Sequence, residues 1–156
     1  MSDETRGEVP GRMAPEPAVV ELNEAECLKL VAGQEIGRIA FTSRYGITVL
    51  PVNYRLHEAS IVFRTGEGSS MDDDLRTGSA HADYQVAFEV DEISPVTREG
   101  WSVLILGPAH HLDSERERAA GAKSAVAPWT GGTKEQFMRI LPTRITGRRI
   151  RQLGQP

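Results

Sequence analysis

Seven residues, Arg64-Thr65-Gly66-Glu67-Gly68-Ser69-Ser70, bring one permanent cation and three hydroxyls together around two glycines. The apolar run Ile61-Val62-Phe63 ahead of them reads as a strand, and Met71-Asp72-Asp73-Asp74-Leu75 behind them as the first turn of a helix. That combination can hold an oxyanion. Free N–H groups at a helix start point at an anion, Thr65, Ser69 and Ser70 add hydroxyl donors, and the planar fork of Arg64 matches a phosphate. A second reading is an ordinary capped turn, with Ser69 or Ser70 capping the helix and Asp72, Asp73 and Asp74 answering its dipole. Three acids beside a phosphate would also oppose it. On local sequence both readings stand. The spacing differs from that of a P-loop, and no lysine stands beside the turn.

A second group lies in Leu50-Pro51-Val52-Asn53-Tyr54. Proline inside an apolar strand forfeits a ladder hydrogen bond, so the backbone there must run along an edge, a bulge or a ligand. The Asn53 amide can then meet a flat heterocycle, or equally face solvent. Gly100-Trp101 opens a long apolar run, where the indole either covers a ring or partner surface or seals the end of a barrel. Trp129 stands in the Pro/Gly-rich segment 127–132, compatible with an interface or a lid.

His57, His81, His110 and His111 show no metal-ligand spacing, and adjacent His110 and His111 point to opposite faces of a strand. No metal is expected. Arg144, Arg148, Arg149 and Arg151 could bind an anion, and read more simply as charges guarding an edge strand. No Ser/His/Asp set or paired-carboxylate pattern emerges. Cys27, the single cysteine, excludes an internal disulfide and reads as a small core residue.

The elements that must position these groups are mostly strands. Asn23 and Glu26 form a capping-box pattern at the start of a helix that Gly33 ends, with Leu22 stapled onto Cys27. Strands are expected at 36–43, 47–54 and 60–65 with hairpin-like connections, then at 84–93 and 100–112. Short helices are expected at 69–77 and 113–126, and residues 137–152 read as one or two strands bent at Pro142. Short antiparallel strands with few helices make the chain mainly β, a barrel or sandwich.

The 156 residues suit one domain that buries roughly 70% of its unfolded surface. Residues 1–18 read as a disordered tail, leaving 19–156 as the domain. A net charge of -4 argues against nucleic acid or an anionic membrane as the main partner. No apolar window reaches the ~20 residues of a spanning helix. The expectation is a soluble, cytoplasmic protein.

Taken in order, "IGRIAF", "LPVNY", "IVFRTGEGSSM", "VAFEVDE", "GWSVLILGPA", "PW" and "RITGRR" resemble the pyridoxamine 5'-phosphate oxidase-like family, in its small actinobacterial-type branch, over residues 20–151. The resemblance implies a six-stranded antiparallel split β-barrel that binds FMN at the interface of a homodimer. It implies that Arg64, Thr65, Ser69 and Ser70 hold the FMN phosphate and that Pro51, Val52 and Asn53 run beside the isoalloxazine. Trp101 and Ser102 are implied near the site or the dimer contact. Open barrel edges and the apolar strand around Val103 and Ile105 also call for a partner's cover.

Relatives often end the turn in a lysine where this chain has Ser70 and Met71, and the Arg-x-His substrate signature of the true oxidase is replaced by "GRRIRQ". A flavin-dependent oxidoreductase of a small organic substrate is therefore expected rather than a vitamin-synthesis enzyme. The alternatives are a deazaflavin-binding reductase and a non-catalytic ligand-binding dimeric barrel.

Overall fold

The computed structural model describes residues 17–66, 69–75, 84–112, 116, 119 and 135–152. The helix expected at 113–126, the segment 127–132 with Trp129, His81, and residues 1–16 of the expected tail fall wholly or almost wholly outside them. Helix α1 (Glu24–Ala32) forms as its capping pattern dictates. The Asn23 side chain accepts the Glu26 N–H at 2.9 Å, and the Glu26 carboxylate accepts the Asn23 N–H at 2.9 Å. Cys27 and Val31 are the buried positions of this helix. A Cβ added at Gly147 would stand 2.5 Å from the Cys27 sulfur and 3.3 Å from Leu22, so both residues seat against one glycine of the sheet. Burial, and then Glu26, push the Cys27 thiol above its usual range, which favours a core residue over a nucleophile.

The described residues form eight antiparallel strands: β1 (Pro17–Leu22), β2 (Ile36–Ser43), β3 (Gly46–His57), β4 (Ser60–Gly66), β5 (Tyr84–Ile93), β6 (Gly100–His111), β7 (Glu135–Ile140) and β8 (Arg144–Gln152). Their order is β1-β8-β6-β5-β2-β3-β4-β7, and β7 also pairs with β6. Six strands, β2 to β7, therefore close a barrel, while β8 and β1 extend the sheet beyond β6.

This closure requires β6 to change neighbours. Residues 100–106 pair with β8, and residues 109–111 pair with β7. The switch falls at Gly107, where a Cβ would stand 2.0 Å from the Leu141 carbonyl oxygen of the β7–β8 connection. Pro142 in that connection divides the expected C-terminal run into two strands. Strand β1 lacks a local signal of its own; "PAVVEL" becomes a strand because β8 offers it a partner, and it includes two positions of the stretch read as tail.

Alternation sorts the side chains cleanly. Ile39 and Phe41, Val52 and Tyr54, Ile61 and Phe63, Phe88 and Val90, Val103 and Ile105, and Met138 and Ile140 point into one core. Val103 and Ile105 are thus 1% and 0% exposed and already covered within the chain, so they call for no partner. The exposed apolar side chains among the described residues include Leu104, between them on the outer face of β6, and Ile47 and Val49 on the outer face of β3.

Tyr54 is fully buried and donates its hydroxyl to the Val31 carbonyl at the end of α1, tying helix to barrel. Burial raises its pKa well above the usual range. A folded-state pKa above the unfolded one gives stability that is complete below the unfolded pKa and is lost as pH rises through the folded value. Stability is therefore expected to fall above pH ~10, by up to about 1.4 kcal/mol per pH unit, and Tyr54→Phe should flatten that slope in urea unfolding. Among the described residues no helix is long and apolar enough to cross a membrane.

Candidate functional site

A tight turn fixes the register of β3 and β4. Glu58 and Ala59 both adopt left-handed φ values, 48° and 59°, between the paired residues His57 and Ser60. The ladder then runs back from that turn only as far as Tyr54 opposite Phe63. Continued, the same register would set Asn53 opposite Arg64, Val52 opposite Thr65 and Pro51 opposite Gly66. There the strands separate, β3 staying with β2 while β4 stays with β7. The two groups singled out in the sequence are the two sides of one interruption, or opening, in this ladder.

Backbone direction follows from a single bond. The Tyr54 N–H donates to the Glu35 carbonyl at 3.0 Å, on the side toward β2. N–H and C=O groups alternate sides along a strand, so those of Asn53 point away from β2, into the opening. The Pro51 nitrogen points the same way, and a proline there costs no bond to β2. The backbone groups of Arg64 point into the opening from the other side.

Side chains divide the expected site residues. Pro51, Asn53 and Arg64 lie on the outer face, whereas Val52 and Thr65, 8% and 5% exposed, point into the barrel. Val52 and Thr65 can therefore reach a ligand through backbone rather than side chain. The Arg64 guanidinium lies over the Phe137 ring, 5.5 Å from its centroid. Its burial lowers its pKa from the usual value, and a guanidinium held out of water favours an anion more strongly.

The hydroxyl turn leads into α2 (Ser70–Leu75), which plugs the barrel with Met71 and Leu75. Ser69 is the cap: its Oγ accepts the Asp72 N–H at 3.1 Å, and its N–H donates to the Gly66 carbonyl at 3.0 Å. Ser70 is exposed. The three acids are not arrayed against the turn as expected. Asp72 is buried, 2.6 Å from His111 Nε2. Asp74 accepts from Arg44 Nε at 2.9 Å, and Asp73 lies 4.0 Å from the same guanidinium. Each carboxylate has a cation or imidazole partner drawn from β2, its hairpin or β6.

Trp101 and Ser102 are not beside this opening within one chain. By way of β7, Ser102 precedes Leu112 by ten residues, roughly 33 Å of strand, and by way of β5 and β2 it lies three strands, roughly 14 Å, from the Pro51–Asn53 edge. Leu112 marks the level of Phe137 and Arg64, since its N–H donates to the Phe137 carbonyl at 2.9 Å. Trp101 leans on the core, while Ser102 faces out between two shallow hollows of about 220 and 270 Å³ that also share Arg148.

Register nevertheless puts Ser102 on the same outer face as Pro51. Leu104, Glu89, Arg38 and Pro51 lie opposite one another across β6, β5, β2 and β3. Arg38 bridges Glu89 at 3.1 Å and Asp91 at 3.3 Å in that row. Burial and then Asp91 raise the Glu89 pKa. Phe137 and Arg44 carry no site signal in the sequence, where Asp72 reads only as a charge at the turn and His111 only as a histidine without metal spacing. Their roles arise from contacts across distant strands, for which the sequence carries no local signal.

Comparison with known proteins agrees with this architecture. A model of the family described as pyridoxamine 5'-phosphate oxidase matches residues 23–149. The uncharacterized protein Rv0080 of Mycobacterium tuberculosis is 33% identical over 141 residues, covering 89% of this chain and 91% of its own. Among solved structures, the FAD binding protein from Mycobacterium smegmatis is 30% identical with a TM-score of 0.70, over 85% of this chain and all of that one. A FAD-binding protein from Mesorhizobium loti shares the fold at 23% identity and a TM-score of 0.68, over 84% of this chain and 97% of its own. With its split between β3 and β4 and its six-stranded closed barrel, the chain belongs to the pyridoxamine 5'-phosphate oxidase-like family.

Proposed function

We propose that the chain binds a flavin in the opening between β3 and β4 and serves as an FMN-dependent oxidoreductase of a small organic substrate. One observation carries the reading: the interrupted ladder turns the Asn53 and Arg64 backbone groups toward each other across a gap flanked by a half-buried guanidinium. A flat heterocycle with amide-like edges satisfies such groups, and an attached phosphate suits Arg64 and the Ser69–Ser70 turn. The FAD binding protein at 30% identity supports a flavin as the ligand.

When bound, the flavin supplies the hydride chemistry. The work of the chain is then to bind and orient. Asn53 offers an amide and backbone edge, Pro51 an apolar flank, Arg64 the charge partner, and Ser70 an exposed hydroxyl. A homodimer is part of this proposal, because Trp101 and Ser102 join the opening only if a second copy brings them there.

The test is the visible spectrum of the purified protein, followed by titration with FMN, FAD and a deazaflavin coenzyme. Flavin absorption and tightest binding of FMN are expected. Tightest binding of the deazaflavin would move the protein to a different reductase class, and binding of none would reject the reading.

A further inference from the structure

The proposed binding groups do not include the buried pair Asp72–His111, yet the Asp72 backbone is hydrogen-bonded to one of them, Ser69. The side chains are 3% and 6% exposed, with 2.6 Å between Asp72 Oδ1 and His111 Nε2. His111 comes from the last position of β6 and Asp72 from the first turn of α2, so the contact crosses the mouth of the barrel. A buried carboxylate and imidazole persist only when each answers the other.

The same aspartate also holds the turn. Its backbone N–H donates to Ser69 Oγ, and the Ser69 N–H donates to the Gly66 carbonyl, so His111, Asp72, Ser69 and Gly66 form one chain of hydrogen bonds. That chain ends two residues from Arg64. A helix of six residues has little stability of its own and takes its orientation from what it is docked to. Met71 and Leu75 anchor α2 in the core, and Arg44 secures Asp74, but none of these contacts orients the Ser69 hydroxyl.

We infer that Asp72 and His111 are a positioning pair that sets the phosphate-side turn, so that the acid next to the turn organises the site instead of repelling its ligand. The inference rests on the flavin reading and deepens it. The aspartate at the start of α2 then has a physical reason. Its negative charge is directed inward to an imidazole while its backbone braces the serine.

The experiment compares FMN with riboflavin, which lacks the phosphate, by flavin fluorescence on the folded protein. Asp72→Ala and His111→Ala are each expected to weaken FMN binding about tenfold, with the double variant no worse than the weaker single. Riboflavin binding should be unchanged in all three. Asp72→Asn, which keeps an acceptor oxygen for His111, should recover most of the loss. Leu75→Ala serves as a control: it should lower thermal stability and leave the preference for FMN over riboflavin at the parent value. Should both alanine variants keep the parent's preference, or lose FMN and riboflavin in parallel, the pair is merely structural and the inference fails while the flavin reading stands. A parent that binds neither compound overturns both.

Discussion

Arg64→Ala is expected to weaken FMN binding by about 2–4 kcal/mol, roughly 30- to 1,000-fold, with little change in fold stability. The guanidinium stands at the lip of the opening over Phe137, and its pKa is lowered by burial. A charge-assisted contact made in such a place is stronger than one in water and is screened less by salt. Arg64→Lys should restore only part of the affinity, because a lysine lacks the planar fork and stacks less well on Phe137. Phe137→Leu should have a smaller effect in the same direction by loosening the guanidinium. FMN titration by fluorescence quenching measures all three, and unchanged affinity in Arg64→Ala would reduce the arginine to a strand-end guard.

The second large effect is expected at Phe88. Its ring is fully buried and meets Tyr54 edge-on, with centroids 5.0 Å apart and planes at 78°. It also fills the space beside Gly37, where an added Cβ would stand 2.3 Å from the Phe88 ring. One side chain of β5 thus locks against β2 and β3, the strands that carry the Pro51–Asn53 edge. Phe88→Ala should cost about 3–5 kcal/mol in urea unfolding, through lost burial and an unfilled cavity. A cost below ~1 kcal/mol would mean that the barrel closes without this contact.

The parts of the structure legible in sequence were those written over short spacings. The capping box is an i, i+3 signal, and Asn23 and Glu26 make the two reciprocal bonds it describes. Strand periods were equally plain, and Pro51 did mark a backbone without a ladder partner on one side. What could not be read were consequences of register. Whether Pro51–Asn53 faces Arg64–Gly66 depends on where the ladder from the Glu58–Ala59 turn stops.

The same limit explains the inward turn of Val103 and Ile105, which leaves Leu104 between them as the apolar side chain exposed there. It also explains the aspartates, whose charges look repulsive in line but are partnered by residues 29 to 39 positions away. Strand β1 was hidden because the strand it pairs with, β8, is at the far end of the chain.

The central claim is that a flavin occupies the opening between β3 and β4. Backbone amide shifts of isotope-labelled protein, recorded as FMN is added, test it most directly. The account predicts the largest changes at Asn53, Arg64, Ser69 and Ser70, from both sides of the interrupted ladder. Changes confined to the outer face of β8 and β1, with those four amides still, would contradict it.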